Sequence, residues 1–209
     1  MSRDPARAAS QFFGGRVCLD FANTLDWRLT DNPVELIPDY LALLAWSERR
    51  GTLPAGALAR LRKHGPEGTA ASEVMREAHL LRTEIWSIAD ELIAGRRARL
   101  AALNDRLAGL PSQPALRVQG SRYAFDLDGS DPRQPLWPVL WSLTAVLASE
   151  DAARIGSCLA QGCGWYFVDE SPNRSRTWCS SEVCGNRERV RRAYAKRRSK
   201  ARTVGQNQR

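Results

Sequence analysis

Four of the chain's five cysteines fall in one 27-residue window, as Cys158 and Cys163 followed by Cys179 and Cys184. Each pair brackets four residues. A short pair of thiols spans one edge of a tetrahedron, so two such pairs suit a zinc ion held entirely by sulfur. Four cysteine ligands leave no open coordination position. The expected cofactor is therefore one structural Zn2+, not a catalytic one; iron or a dithiol redox pair is the competing use of the same residues. The fifth cysteine, Cys18, lies on an apolar stretch and reads as a small core residue. His64 and His79 are the two histidines. No phosphate-cradling loop, paired-acid signature or Ser/His/Asp set is present, so no catalytic residue is assigned and the chain is not read as an enzyme.

The second chemical signal is charge. The whole chain carries +8, yet residues 154–209 hold 13 Lys and Arg against 4 Asp and Glu, and residues 1–153 hold 18 against 19. The basicity thus belongs to the cysteine-bearing end, which points to an anionic partner. Beyond Cys184 the periodicity predicts a helix crowded with like charges, which repel one another at i,i+4 spacing. A phosphate backbone would relieve that repulsion. The candidate nucleic-acid contacts are Arg174, Arg176, Arg187, Arg189, Arg191, Arg192, Lys196 and Arg197. Duplex DNA is the expected partner and RNA the alternative; a solvated basic face is the bland reading.

The elements that must position these residues follow from pattern. Trp165–Asp169 reads as a strand, Pro172–Asn173 as a turn, and Arg174–Trp178 as the returning strand. Ser180 or Ser181 can cap a helix that starts between Cys179 and Cys184. The order is knuckle, hairpin, second pair, helix, a treble-clef-like layout. Val183, Val190 and Tyr194 form a narrow apolar stripe expected to lie against the hairpin. About 40 residues bury too little apolar surface to fold unaided, which is why a metal is needed.

Upstream, the chain reads as mainly helical. Gly14-Gly15 precede Arg16–Phe21, read as a strand or an extended entry into a helix. Pro38 suits the first turn of a helix ending before Gly51, and Pro54 starts another. Val74, Ala78, Leu81, Ile85, Ile88 and Leu92 step by three or four, giving one buried face of a long helix. Met75, His79 and Trp86 run along it, as core rim or as a pocket wall. Ala115–Val118 and Tyr123–Asp128 alternate around a glycine turn, a β-hairpin. Asp131-Pro132 offers a cap and N1 proline for a helix from Leu136 to about Ala152. Residues 1–11 are polar and expected to fray, with no apolar segment of a secretory leader. No run approaches 18 apolar residues, so no membrane helix is expected. A cytoplasmic, nucleoid-associated protein follows, with thiols reduced. Arg outnumbers Lys 28 to 3, the usage of a GC-rich bacterial genome.

Cys158-x4-Cys163-Gly-Trp-Tyr-Phe-Val-Asp169, Asn173-Arg-Ser-Arg176, Trp178-Cys179-Ser180 and Cys184-Gly185-Asn186-Arg187 together resemble the CGNR zinc finger family over about residues 154–198. Val17-Cys-Leu19-Asp20, with Asn23-Thr24, is similar to the opening of the ABATE domain, a mainly helical domain of transcription regulators that accompanies that finger. Thr177 stands where Arg is expected, and Glu188 where a small residue is usual. The resemblance implies zinc on Cys158, Cys163, Cys179 and Cys184 and a DNA-binding role for the finger.

The expected architecture is mainly α with small β-hairpins, an α+β arrangement. Residues 1–153 would form a helical ABATE-like domain that senses an effector or dimerises. Residues 154–209 would form the finger with its basic helix and tail. A zinc-finger transcriptional regulator is the leading function; an RNA-binding or ribosome-associated protein, or a ligand-binding enzyme with a targeting finger, are the others. Asp20, Asn23 and Thr24 are the candidate small-molecule pocket, or else a helix cap and core packing. A homodimer and an unidentified small effector are the remaining partner expectations.

Overall fold

The computed structural model describes residues 11–110 and 115–206, with the side chains of 119, 122 and 199–206 excepted. The expected fraying of the first residues and the prolines at 111 and 114 lie outside the described residues.

Among the described residues the first element is α1 (Val17–Ala22), a helix rather than a strand, five of whose six residues are buried. It packs against the two most apolar helices, α4 (Gly68–Ile93) and α6 (Trp137–Leu147). Between α1 and α4 come a two-stranded ribbon, β1 (Leu25–Asp26) with β2 (Val34–Glu35), then α2 (Tyr40–Arg50) and α3 (Ala55–His64). Asp39 caps α2 by accepting the Ala42 N–H, so Pro38 precedes the cap instead of occupying the first turn. Gly51 ends α2 at φ 70°, the left-handed conformation that glycine adopts without strain.

The long helix α4 buries Val74, Ala78, Leu81, Ile85 and Ile88, the face its periodicity predicts, and Leu92 packs at the edge. Trp46 meets Phe21 edge-on at 5.5 Å in the same core. After α5 (Ala101–Ala108) come β3 (Leu116–Gln119) and β4 (Arg122–Phe125), paired as expected. The Asp131-Pro132 segment forms a turn and not a helix start. Asp131 accepts the Arg133 N–H, a 3-10 turn covers Gln134–Leu136, and α6 begins only at Trp137. That helix ends at Leu147, short of the expected 152, because Ser149 caps a separate 3-10 turn over Glu150–Arg154.

The remaining strands are β5 (Ile155–Ser157) and β6 (Tyr166–Val168), an antiparallel pair that straddles the first cysteine pair. This is a correction to the expected hairpin. Residues 174–178 form no strand, and β6 instead pairs backwards with β5. The fold is thus mainly α with three small antiparallel pairs among the described residues.

Strand β6 decides how the two ends of the chain meet. Its alternation sends Tyr166 and Val168 into the large helical core and Phe167 into a second core around the cysteines. All three are buried. A single π-helical turn, Ser181–Gly185, then leads into α7 (Asn186–Gln206).

Candidate metal centre and basic helix

The knuckle Cys158–Cys163 follows β5 directly, and the Cys158 N–H donates to the Trp165 carbonyl at 2.8 Å. Cys163 donates its N–H to Ala160, closing the tight turn. The second pair sits at a capped helix start: the Ser180 Oγ accepts the Val183 N–H at 3.3 Å. Of the two serines considered for this task, Ser180 performs it. The first-turn N–H groups and helix dipole beside Cys184 favour a negatively charged sulfur.

All four Sγ atoms are buried and lie within 4.8 Å of one another. Cys163 and Cys179 are 3.8 Å apart, and Cys179 and Cys184 3.4 Å. A tetrahedral ion with sulfur at about 2.3 Å needs edges of about 3.8 Å. The donor set therefore fits one structural zinc ion, and the separations are too long for disulfides. Hydrogen bonding from Cys163 lowers the Cys158 thiol, and bonding to Cys158 raises the Cys179 thiol. Charge on one sulfur opposes charge on its neighbours, and a dication removes that opposition. Four sulfurs also close the coordination shell, so the ion would hold structure and offer no site to a substrate.

Residues from the helical region brace the knuckle. Gly162 (φ 80°) and Gly164 (φ 70°) both need left-handed backbone, and a Cβ on either would come within 2.6 Å of Thr30 Cγ2 or 2.7 Å of Leu29 Cγ. The 27–30 loop presses that closely against the cysteine turn. Arg28 donates to the Gly164 carbonyl while its guanidinium stacks on Trp86 and Tyr166. Asn23 pairs with both backbone groups of Tyr166, donating to its carbonyl at 2.9 Å and accepting its N–H at 2.8 Å.

A family model described as a "putative stress-induced transcription regulator", the ABATE domain, matches residues 15–150. The chain belongs to the ABATE family. The CGNR zinc finger model matches residues 154–197, and no curated protein matches. The two descriptions together suggest a regulatory zinc-binding protein and name no reaction. No described helix is long and apolar enough to cross a membrane.

In this ABATE protein the expected pocket residues form a buried seam. Asp20 accepts the Gly14 N–H and pairs with Arg50, each at 2.8 Å. Thr24 donates to the Phe21 carbonyl and accepts from Arg82, which forks onto Glu35. With Asn23 committed to Tyr166, the hydrogen-bonding groups are satisfied internally. Two grooves on the described surface, one beside Tyr40 and one beside Trp141, are not lined by Asp20, Asn23 or Thr24. Of Met75, His79 and Trp86, the first two do line a groove, beside Tyr40, whereas Trp86 donates to the Ala22 carbonyl.

The eight candidate cations divide. Arg176 turns inward: its guanidinium donates to the carbonyls of Val168, Trp178, Phe13 and Cys179 and stacks on Phe167 at 4.3 Å. Asp169 completes this core. One oxygen accepts from Ser171 and the other accepts the Arg176 N–H. Arg176 therefore staples the loop to the metal site. Arg187 lies over Trp27 at 4.3 Å. Arg191 pairs at 2.8 Å with Glu188, which is buried and also accepts the Gln161 N–H of the knuckle. The Arg191 bond holds the Glu188 carboxyl below its usual range. The unusual Glu188 thus ties α7 to the cysteine turn, a role its sequence position alone does not reveal.

Arg174, Arg189, Arg192, Lys196 and Arg197 are exposed. The apolar stripe does not pack on the hairpin: Val190 is 46% exposed and Tyr194 64%. Past its first turn α7 projects from the finger as a cationic rod, exposed on all sides through Arg198.

Proposed function

We propose that this protein is a DNA-binding transcription regulator of the bacterial cytoplasm, working on the nucleoid, in which the zinc finger of residues 154–209 aims α7 at duplex DNA. Residues 1–153 would form the regulatory unit. The observation that carries this reading is the projecting helix. An isolated helix with this density of like charge is self-repulsive, and Glu188 answers only Arg191 at its base. The DNA backbone supplies a line of phosphates at helical scale. The exposed Arg174, Arg189, Arg192, Lys196 and Arg197 are the proposed contacts, with Val190 and Tyr194 available for apolar contact to base edges.

The test uses the whole chain, because β6 belongs to both cores. Affinity for duplex DNA should fall steeply as salt rises, by roughly 0.9 in log–log slope for each phosphate neutralised. The triple variant Arg192→Gln, Lys196→Gln, Arg197→Gln should lower that slope by roughly 2.7 if each contacts one phosphate. Equal affinity at 50 and 300 mM salt, or an unchanged slope in the variant, would overturn the proposal. Stronger competition by single-stranded or hairpin RNA than by duplex DNA would move the reading to RNA.

A further inference from the structure

A groove of about 440 Å³ lies between the β3–β4 hairpin, helix α6 and the turn that follows α2. None of its lining residues belongs to the cysteine knuckle of residues 158–163 or to α7. Cross-strand pairing puts Leu116 opposite Phe125 and Val118 opposite Tyr123, so the hairpin presents one apolar face. Only the Phe125 end of that face is covered: its ring meets Trp141 of α6 at 4.4 Å. Leu116 is 65% exposed and Tyr123 78%, and both line the groove. An aromatic floor with an exposed aromatic rim suits a flat ring, which stacks on such surfaces with little loss of freedom.

The polar groups at the other end converge. Arg50 lines the groove, and its Nε donates to buried Asp20 at 2.8 Å. That bond fixes the guanidinium from behind. Its two terminal nitrogens have no acceptor among the described residues, and they form the fork that matches a carboxylate. Ser142, also on the wall, is held in place by accepting the Cys18 N–H at 3.1 Å. A guanidinium already oriented by a buried partner pays little entropy to bind an anion.

We infer that this groove is a binding site for a small planar aromatic carboxylate, its ring between Tyr123, Phe125 and Trp141 and its carboxylate on the terminal nitrogens of Arg50. Charge complementarity selects this occupant over a neutral apolar one. Asp20 keeps Nε throughout, so binding adds contacts to Arg50 without breaking the pair that closes α1. The site does not depend on DNA binding, and its test measures the ligand alone.

The probe is 2-naphthoate, with 2-naphthalenemethanol as its neutral counterpart and cyclohexanecarboxylate as its non-aromatic one. Calorimetry and tryptophan fluorescence on the full zinc-loaded chain should show saturable 1:1 binding of 2-naphthoate. It should bind at least about tenfold tighter than either counterpart, the margin expected of a charge-assisted fork or of a stacked ring. Arg50→Gln should erase the preference for the carboxylate over the alcohol. Because that change also removes the partner of Asp20, a second variant decides if it folds poorly. Ala145 is exposed on the groove wall, and Ala145→Glu should weaken 2-naphthoate at least about tenfold while leaving the thermal midpoint unchanged. Absence of saturation to millimolar probe, equal affinity for acid and alcohol in the native chain, or indifference to Ala145→Glu would each overturn the inference.

Discussion

Replacing Asn23 by Ala should destabilise both ends of the molecule at once. Asn23 and Tyr166 are 3% and 0% exposed. The amide answers the Tyr166 N–H and carbonyl together, at 2.8 and 2.9 Å. Ala makes neither bond and leaves both backbone groups buried without those partners. An unsatisfied buried backbone group costs about 1–3 kcal/mol, so two should cost about 2–6 kcal/mol. That is a large fraction of the 5–15 kcal/mol typical of a folded domain. Tyr166 also donates its hydroxyl to Asp90 at 2.7 Å, which holds the ring but cannot satisfy the strand. The assay is urea denaturation of the zinc-loaded chain, followed by far-ultraviolet circular dichroism and by a zinc-sensitive dye. Helix loss and zinc release should share one midpoint in the native chain and move together in the variant. A loss below about 1 kcal/mol, or zinc release shifting while the helical transition stays put, would refute the argument that β6 locks the two cores into one cooperative unit.

Two further outcomes follow from the same geometry. Purified protein should contain one zinc per chain by native mass spectrometry, and Cys179→Ser should lose it, since the sulfur it removes is within 3.8 Å of Cys163 and 3.4 Å of Cys184. Burial raises the Cys18 thiol from 9.0 to about 11. The folded state therefore holds its proton where the unfolded state releases it. That stability is fully present below pH 9.0 and is lost as pH rises through about 11, amounting to a few kcal/mol. In pH-dependent denaturation the native chain should lose more stability than Cys18→Ala across that window; parallel curves would contradict it.

Much of the helical architecture was legible because burial on a helix leaves a period in the sequence. Val74 to Ile88 repeat every three or four residues and occupy the core face of α4. The boundaries were less legible, because caps are local competitions among several candidates. Asp39 displaced Pro38 as the start of α2, and Ser149 ended α6 early. The expected strand at 174–178 failed for a different reason. Arg176 gains more from four backbone carbonyls and the Phe167 ring than a short edge strand would provide, and alternation in sequence carries no trace of that fork.

The candidate site divides in the same way. Cysteine type and spacing alone determined a closed four-sulfur centre, because chelation depends on short loops within the chain. Sequence also determined where the positive charge lies, since a charge count needs no fold. Which cations stay available was decided only in three dimensions, where Arg176 turns inward, Arg191 meets Glu188 and Arg187 covers Trp27. The same holds for Asp20, Asn23 and Thr24. As a motif they suit a pocket or a cap equally well, and only the approach of β6, more than 140 residues away, makes Asn23 a backbone clamp. Contacts between distant segments are set by packing of the whole core, and no local pattern records them.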